Sequence, residues 1–469
     1  MDLVSILRGL LGLAAIVGLA FAFSSDRRHI NWRTVGVGLA LQLVFAVFIL
    51  KGADMAEVFA PLGWPAVAFA WASGFFVEFL RWVTEGSAFI FGGLALPPGT
   101  EGSLGFFFFA QVLPTIIAFA ALMAVLYYLG IMQRIVRAMA WVVSRALGTS
   151  GPESLSVTAN IFVGQTEAPL VIKPYIRNLS RSELLAVMTG GMATIAGGVM
   201  ASYISFLGER YSAATGVPLE VGQQLFAEQL LGASVMAAPA ALVLAKILIP
   251  ETEKLVPSAA TAPVPEPDEA AKAEQVMPAL DSAAAHDEAV DVLLDEGPKN
   301  VIDAAASGAA DGLKLALNVG AMLIAFLALI AGINAVLGYG AGLVGADLTL
   351  EMLLGWVLAP VAWIVGVPTA DITAFGSFVG TKIIANEFVA YTQLADAIGA
   401  GLLDPKTIVM ATFALCGFAN LSSIGIQIGG IGPLAPERTG EIASLGLRAV
   451  LAGTLANLMT ATLAGVLVG

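Results

Sequence analysis

The chain has 469 residues, of which 58% are hydrophobic and 12% charged, and its mean hydropathy is +0.87; an ordinary globular domain carries about 25% charged residues. This excludes a conventional soluble domain and identifies a polytopic membrane protein, while a single cysteine, Cys416, and two histidines exclude a disulfide framework and leave little scope for His/Cys metal chemistry. The formal charge of -13 is concentrated between Glu251 and Asn300, where twelve acids face three lysines, so it describes one soluble segment and gives no basic patch for nucleic acid.

Residues 2–23 are apolar around Arg8, lack a small-residue cleavage signal and run into Asp26-Arg27-Arg28, the pattern of a retained first membrane helix. A second span is expected over 34–51. Arg27, Arg28 and Arg33 between the two place that loop in the cytoplasm and the N-terminus outside. Residues 55–98 are apolar but interrupted by Pro, Gly, Glu and Arg, which suits a helix lying along the interface. A third span over 106–130 ends in Tyr127-Tyr128. Arg134, Arg137 and Arg145 then mark the cytoplasmic side, where 131–147 would lie flat.

The next stretch, Asn160-Ile-Phe-Val-Gly164-Gln165-Thr166-Glu167-Ala-Pro169, sets a carboxylate, amides and a hydroxyl in an apolar run broken by Gly164 and Pro169. One glutamate at membrane depth costs about 2.5–3.5 kcal/mol on insertion scales, so it needs a partner or a purpose. Arg145 precedes it and Lys173, Arg177 and Arg181 follow it, too close for two full spans of about 20 residues. A segment that enters and leaves by one face is a re-entrant hairpin, whose tip is tolerable only inside protein or a watery cavity.

Spans follow over 183–207, interrupted by Ala196-Gly197-Gly198, and over 223–249, ending near Lys246. The Pro-, Ala- and acid-rich stretch after it, which contains His286, lacks the hydrophobicity to pack and is expected to be a disordered cytoplasmic linker. A span over 311–336 and an interfacial helix over 350–366 lead to Ala385-Asn386-Glu387-Phe388, a second carboxylate beside an amide in an apolar run. Spans near 405–430 and 444–467 close the chain, with Arg438 and Arg448 on the cytoplasmic side. The expected architecture is thus an all-α polytopic membrane protein of about eight transmembrane helices, with two re-entrant hairpins in an inverted repeat and interfacial helices. It divides into N-terminal scaffold spans (1–130), a first repeat (131–249), the linker (250–308) and a second repeat with its preceding span (309–469). Inverted repeats with broken helices meeting at the midplane are the mark of secondary transporters.

Asn420 and Ser423 are three apart in the seventh span and would share a helical face. Alone they could be glue between helices; beside two intramembrane glutamates they point to a site. Carboxylates, amides and hydroxyls without an arginine cluster favour a neutral polyhydroxylated or amide-bearing solute over an anion, and Phe418 offers an apolar face for a ring. The competing structural readings pair Glu167 with Lys173 and Glu387 with Lys382, let Lys382 snorkel, and make Gln427, polar where an aliphatic is expected, helix glue.

Three segments in order, Gly164-Gln-Thr-Glu-Ala-Pro-Leu170, Ala385-Asn-Glu-Phe-Val-Ala-Tyr391 and Cys416-Gly-Phe-Ala-Asn-Leu-Ser-Ser423, resemble the concentrative nucleoside transporter family. The resemblance runs from Arg33 to the last span, excluding the linker. It implies cation-coupled symport of nucleosides into the cell by alternating access in the inner (plasma) membrane, by a homotrimer that is not an enzyme. It implies that Gln165, Thr166 and Glu167 face the nucleobase, that Glu387, Asn420 and Ser423 hold the ribose, and that Val199, Leu315 and Phe418 line the base. It also implies a sodium ion on the Asn160 side chain, the Val163 carbonyl, and the Thr194 hydroxyl with the Ile195 carbonyl; oxygen-only ligation suits a hard cation. Thr194 departs from the serine of the family pattern, keeping the hydroxyl and adding a methyl. Proton coupling through Glu167 or Glu387 is the alternative. An intramembrane enzyme using the two glutamates as acid and base and a passive channel are the more distant ones.

Overall fold

The structure is a computed structural model that describes residues 3–59, 63–98, 100–253, 298–343 and 345–468. Most of the expected linker, with His286, lies outside the described residues. Its last part is helical instead, because Asn300 caps a helix that begins at Val301, its side-chain oxygen accepting from the Ile302 and Asp303 amides.

Among the described residues the regular structure is helical. The first helices are α1 (Leu3–Ala22), α2 (Trp32–Val58), α3 (Trp64–Phe91), the short α4 (Phe108–Gln111), α5 (Leu113–Tyr128) and α6 (Ile131–Leu147). Then come α7 (Gly151–Ala159), a 3-10 segment (Ala168–Asn178), α8 (Arg181–Ala193), α9 (Gly197–Thr215) and α10 (Leu219–Leu248). The second half comprises α11 (Val301–Gly342), α12 (Leu350–Val365), α13 (Ile372–Ile384), α14 (Glu387–Gly399), α15 (Pro405–Leu415), α16 (Ser422–Ile431) and α17 (Thr439–Val468).

Eight stretches of the described residues are long and apolar enough to cross a membrane, though not the same eight that the sequence suggests. Trp64–Leu94, expected at the interface, meets the length and hydropathy of a span, whereas 405–430 does not, because the chain breaks after Leu415. The α6 helix is amphipathic as expected: Met132, Val136, Ala140, Val143 and Leu147 are buried on one face and Arg134 and Arg145 are exposed on the other.

The core sorts the helices into two groups. The most apolar windows of α8–α9 and α10 are each 94% buried and that of α17 is 83% buried, against 6% for α11 and 22% for α1. The inner group, α7–α10 and α13–α17, therefore packs on itself, and α1, α2, α3, α5, α11 and α12 surround it. The longest of these outer helices, α11, lies against α5 through Gly308 and Gly312. A Cβ on Gly308 would sit 2.6 Å from Ala124 Cβ and 2.7 Å from the Ala120 carbonyl oxygen. Without a hydrophobic drive between helices in lipid, such small-residue seams let backbones approach and gain dispersion contact. The intramembrane Arg8 is accounted for at the end of α12, donating to the carbonyls of Trp363 (2.8 Å) and Val367 (2.9 Å), where the helix C-terminus favours a cation.

At the foot of α7 and α8 lies a buried ionic clasp. The Ser180 amide donates to Glu183 (2.8 Å) and Ser180 Oγ accepts from the Glu183 amide (3.1 Å), a capping box that starts α8. The Ser150 amide donates to Glu153 Oε1 (2.8 Å) at the start of α7. Lys246, in the last turn of α10, reaches across to Glu153 Oε2 (2.8 Å), Ser182 Oγ (3.1 Å) and Glu251 (3.4 Å), and Ser180 Oγ donates to Glu251 (2.7 Å). One ammonium thus ties α7, α8 and the end of α10 together.

Candidate functional site

Four helical paths in the inner group are interrupted, and the interruptions lie together. α7 stops at Ala159 and the chain turns through Asn160–Glu167; the Gly164 carbonyl accepts from the Glu167 and Ala168 amides (3.2 and 3.1 Å), Pro169 sits in the first turn of the 3-10 segment that follows, and Pro174 inside that segment lacks an amide hydrogen to donate. The path of α8 breaks at Thr194–Ala196 before α9. Asn386 interrupts the path of α13 by capping α14, its Oδ1 accepting from the Val389 amide (2.9 Å). The last break runs from Cys416 to Leu421, between α15 and α16.

A string of hydrogen bonds crosses these interruptions. Gln165 Nε2 donates to Ser423 Oγ (3.1 Å), the Ser423 amide donates to Asn420 Oδ1 (2.8 Å), and Asn420 Nδ2 donates to Glu387 Oε2 (2.9 Å). Tyr203 Oη, from α9, donates to the other carboxylate oxygen (3.3 Å). All five side chains are at least nine-tenths buried. Glu387 opens α14 and Ser423 lies in the first turn of α16, so two helix N-termini, with their partial positive charge, flank the string. Gln165 Oε1 has no hydrogen-bond partner. The arrangement offers hydrogen-bonding groups of both polarities to a neutral polar ligand.

The other ends of the broken elements meet nearby, with opposite polarity. Asn160, fully buried at the C-cap of α7, donates through Nδ2 to the Ser156 carbonyl (3.0 Å) and leaves Oδ1 without a partner. Thr194, at the C-cap of α8, uses its hydroxyl hydrogen on the Gly190 carbonyl (2.9 Å). The Gly197 amide donates to the Phe162 carbonyl (3.1 Å), which holds the turn after α7 against the break after α8. An unpartnered carboxamide oxygen beside two helix C-termini is a fit for a small cation bound by oxygens.

Comparison with known proteins shows the family of the chain. The family model described as Na+ dependent nucleoside transporter C-terminus matches residues 229–465, that of the corresponding N-terminus matches 11–94, and one described as nucleoside recognition matches 109–210. The chain belongs to the concentrative nucleoside transporter family. It is 44% identical to the uncharacterized transporter YutK of Bacillus subtilis, over 99% of this chain and 100% of that one. It is 39% identical to the nucleoside permease NupC of Helicobacter pylori, over 99% and 98%. The structure of CNTnw in an inward-facing, substrate-bound state superposes with a TM-score of 0.80 at 40% identity, covering 99% of this chain and 98% of that one. These relatives are transporters, not enzymes.

Of the residues the family resemblance singles out, Gln165, Glu387, Asn420 and Ser423 are brought together in one string. Val199 is buried in the first turn of α9, and Phe418 is partly buried, its amide donating to the Thr194 carbonyl (3.3 Å). Thr166 is half-buried and crowds Gly430 of α16. Glu167 is exposed and folds over its own turn at Gly164, and Leu315 is 38% exposed on α11; neither is drawn into the string. The shared helical face expected for Asn420 and Ser423 is not what joins them. Asn420 lies in the break, outside any helix, and its Oδ1 accepts from the Ser423 amide as a cap would. Neither does Lys382 snorkel or hydrogen-bond to Glu387. It is 1% exposed and donates to Ala414 and Asn457, whereas Glu387 is held by Tyr203 and Asn420.

Two buried groups escape a reading of the sequence. Tyr203 carried a signal, a phenol within the apolar 183–207 span, since a buried hydroxyl needs an acceptor. Asn457 is an amide inside the last span, with Nδ2 on the carbonyls of Ala193 (2.7 Å) and Cys416 (2.8 Å). Gln427 does tie helices, donating to the Met188 carbonyl of α8 (2.8 Å). Gly417 is what lets Asn457 in: a Cβ there would lie 2.5 Å from Asn457 Oδ1 and 2.8 Å from the backbone oxygens of Met192 and Ala193. Backbone carbonyls at a helix end cannot retreat from it. Gly417→Ala is expected to destabilise the fold by about 3 kcal/mol, read as loss of monodisperse protein on gel filtration and a lowered melting temperature.

Proposed function

We propose that the chain carries nucleosides into the cell together with sodium, by alternating access. The observation that carries this reading is the continuous string Gln165–Ser423–Asn420–Glu387–Tyr203, in which both halves of the chain contribute to one buried polar site. Nucleobase edges would meet Gln165 and Thr166, with Glu167 at the mouth. The ribose hydroxyls would donate to Glu387 and exchange hydrogen bonds with Asn420 and Ser423, and Val199, Leu315 and Phe418 would line the base. The similarity to NupC, a nucleoside permease, and to CNTnw, whose inward-facing structure is substrate-bound, supports the substrate class.

Sodium would be held by Asn160 Oδ1, the Thr194 hydroxyl and the carbonyls of Val163 and Ile195. The unpartnered Asn160 oxygen and the Na+-dependent descriptions of the family models support it. The bound ion would neutralise the partial negative charge of the α7 and α8 C-termini and order the turn that presents Gln165, so ion and nucleoside each raise the other's affinity by the same factor. In this reading α7 with its 3-10 segment and α13 with α14 are re-entrant hairpins of an inverted repeat, and the inner helix group moves against the outer one. The N-terminus is outside and the acidic linker cytoplasmic. The exposed apolar faces of α11 and α12, with Ile324, Val336, Tyr339 and Val357 all more than 70% exposed, suit lipid and the contacts of a homotrimer.

Uridine binding and uptake with and without sodium test the proposal. Binding that strengthens with sodium, and uptake that accumulates uridine above its outside concentration only with sodium, are the expected results. Undiminished uptake in sodium-free, mildly acid buffer would instead assign coupling to a proton on Glu387 or Glu167. Asn160→Ala is expected to raise the sodium concentration for half-maximal uptake about tenfold or more, the loss of about 1.4 kcal/mol of ion binding; unaltered sodium dependence would refute the ion site.

A further inference from the structure

Lys382 has no part in the handling of nucleoside or ion just described, yet its ammonium lies in the interior, 1% exposed, on α13. Its two hydrogen bonds go to neutral groups: the Ala414 carbonyl (2.9 Å) and Asn457 Oδ1 (2.6 Å). A buried charge needs compensating potential, and here that potential comes from helix ends. Ala414 lies in the last turn of α15, and Asn457 Nδ2 donates to the carbonyl of Ala193, the last residue of α8, and to that of Cys416, the C-cap of α15. Terminal carbonyls carry the negative end of the helix dipole. The orientation of the amide is fixed, because the carbonyls can only accept and the ammonium can only donate. Asn457 therefore gathers two helix C-termini and presents their negative potential, through Oδ1, to Lys382.

The two broken helical paths can be compared directly. In the turn after α7, which the Gly197 amide holds against the α8 break, a buried carboxamide oxygen, Asn160 Oδ1, is left without a donor. At the α15 break the oxygens of Ala414 and Asn457 are already served by an ammonium. We infer that Lys382 is a resident cation at the α15–α16 break, standing where a metal ion would otherwise be needed, and that it leaves the α8–α9 break as the one that takes the coupling ion. The second clause rests on the sodium reading above; the first does not. The same bridge links the α8 C-terminus, next to Thr194, to α13.

The test is the melting temperature of the purified full-length protein, without nucleoside, titrated with lithium, sodium or potassium chloride against choline chloride. Lys382→Met should melt roughly 5 °C or more below the unaltered protein in choline. A small metal cation should restore at least half of that loss, and this response should survive the additional Asn160→Ala substitution, because it arises at the other break. An unchanged melting temperature, or a double variant that no cation stabilises, overturns the inference. If the unaltered protein ignores sodium while Lys382→Met responds, the sodium reading fails and the resident cation stands. Should Lys382→Met not fold in any salt, sodium titration of uridine binding to the unaltered protein decides: a single-site curve or no dependence agrees with a filled second break, and a sigmoidal two-site curve contradicts it.

Discussion

Replacing Glu387 by Ala is expected to abolish nucleoside binding at accessible concentrations. Hydrogen bonds to a charged acceptor contribute about 1.5–3 kcal/mol each, so loss of two from a ribose weakens binding by a factor of about a hundred to ten thousand. The same substitution strips the acceptor from Asn420 Nδ2 and Tyr203 Oη, both now bonded to the carboxylate, so the emptied site is also less ordered. Calorimetry with uridine and its 2′- and 3′-deoxy analogues separates the two effects. Glu387→Gln should bind uridine more weakly than the parent and lose most of the parent's discrimination against the deoxy compounds. Unchanged uridine affinity in Glu387→Ala would refute the ribose role.

The second large effect is expected at the ionic clasp. Lys246→Met leaves Glu153, whose side chain is 2% exposed, without its cation. Breaking a buried pair from one side costs about 3–5 kcal/mol, whereas replacing both partners by apolar residues is often neutral. Thermal unfolding in detergent should therefore show a steep loss of stability for Lys246→Met, and the double variant Lys246→Met/Glu153→Met should recover much of it. A single variant as stable as the parent would show that the clasp is not what holds α7 to α8 and α10. Uridine affinity of the surviving folded fraction should change little, because none of the clasp residues belongs to the polar string.

The fold was legible wherever polarity was out of place. Glu387, Asn420 and the Gln165 turn stand out in sequence because an apolar run cannot hold them without partners; Gln165 finds Ser423 and Glu387 finds Tyr203 in the other half of the chain, while Glu387 and Asn420 partner each other. The turn after Asn160 follows from Gly164 and Pro169 in an otherwise helical run, whereas the interruption expected at Ala196-Gly197-Gly198 lies two residues earlier, at 194–196, and Gly197 and Gly198 open α9. What stayed hidden depends on which side chains meet. Nothing local to Asn420 says that it leaves the helix to cap the next one, and nothing around Lys382 says that it turns from Glu387 towards Asn457, which lies on a different helix far along the chain. The clasp did leave a local trace, Ser-x-x-Glu at 150–153 and again at 180–183, the start signal of a helix. That Lys246 would bridge the two boxes required the fold.

Cys416, the only cysteine in the sequence, is buried at the C-cap of α15, its sulfur 3.6 Å from Ser234 Oγ and 3.5 Å from the Leu230 carbonyl. Reactive thiols are exposed and ionised, and an enclosed one of this kind is inert to alkylating reagents. Spin labels and fluorophores can therefore be attached at engineered cysteines on α11 and α14 with the native residue left in place, and distances between the outer and inner helix groups can be followed through a transport cycle without a cysteine-free background.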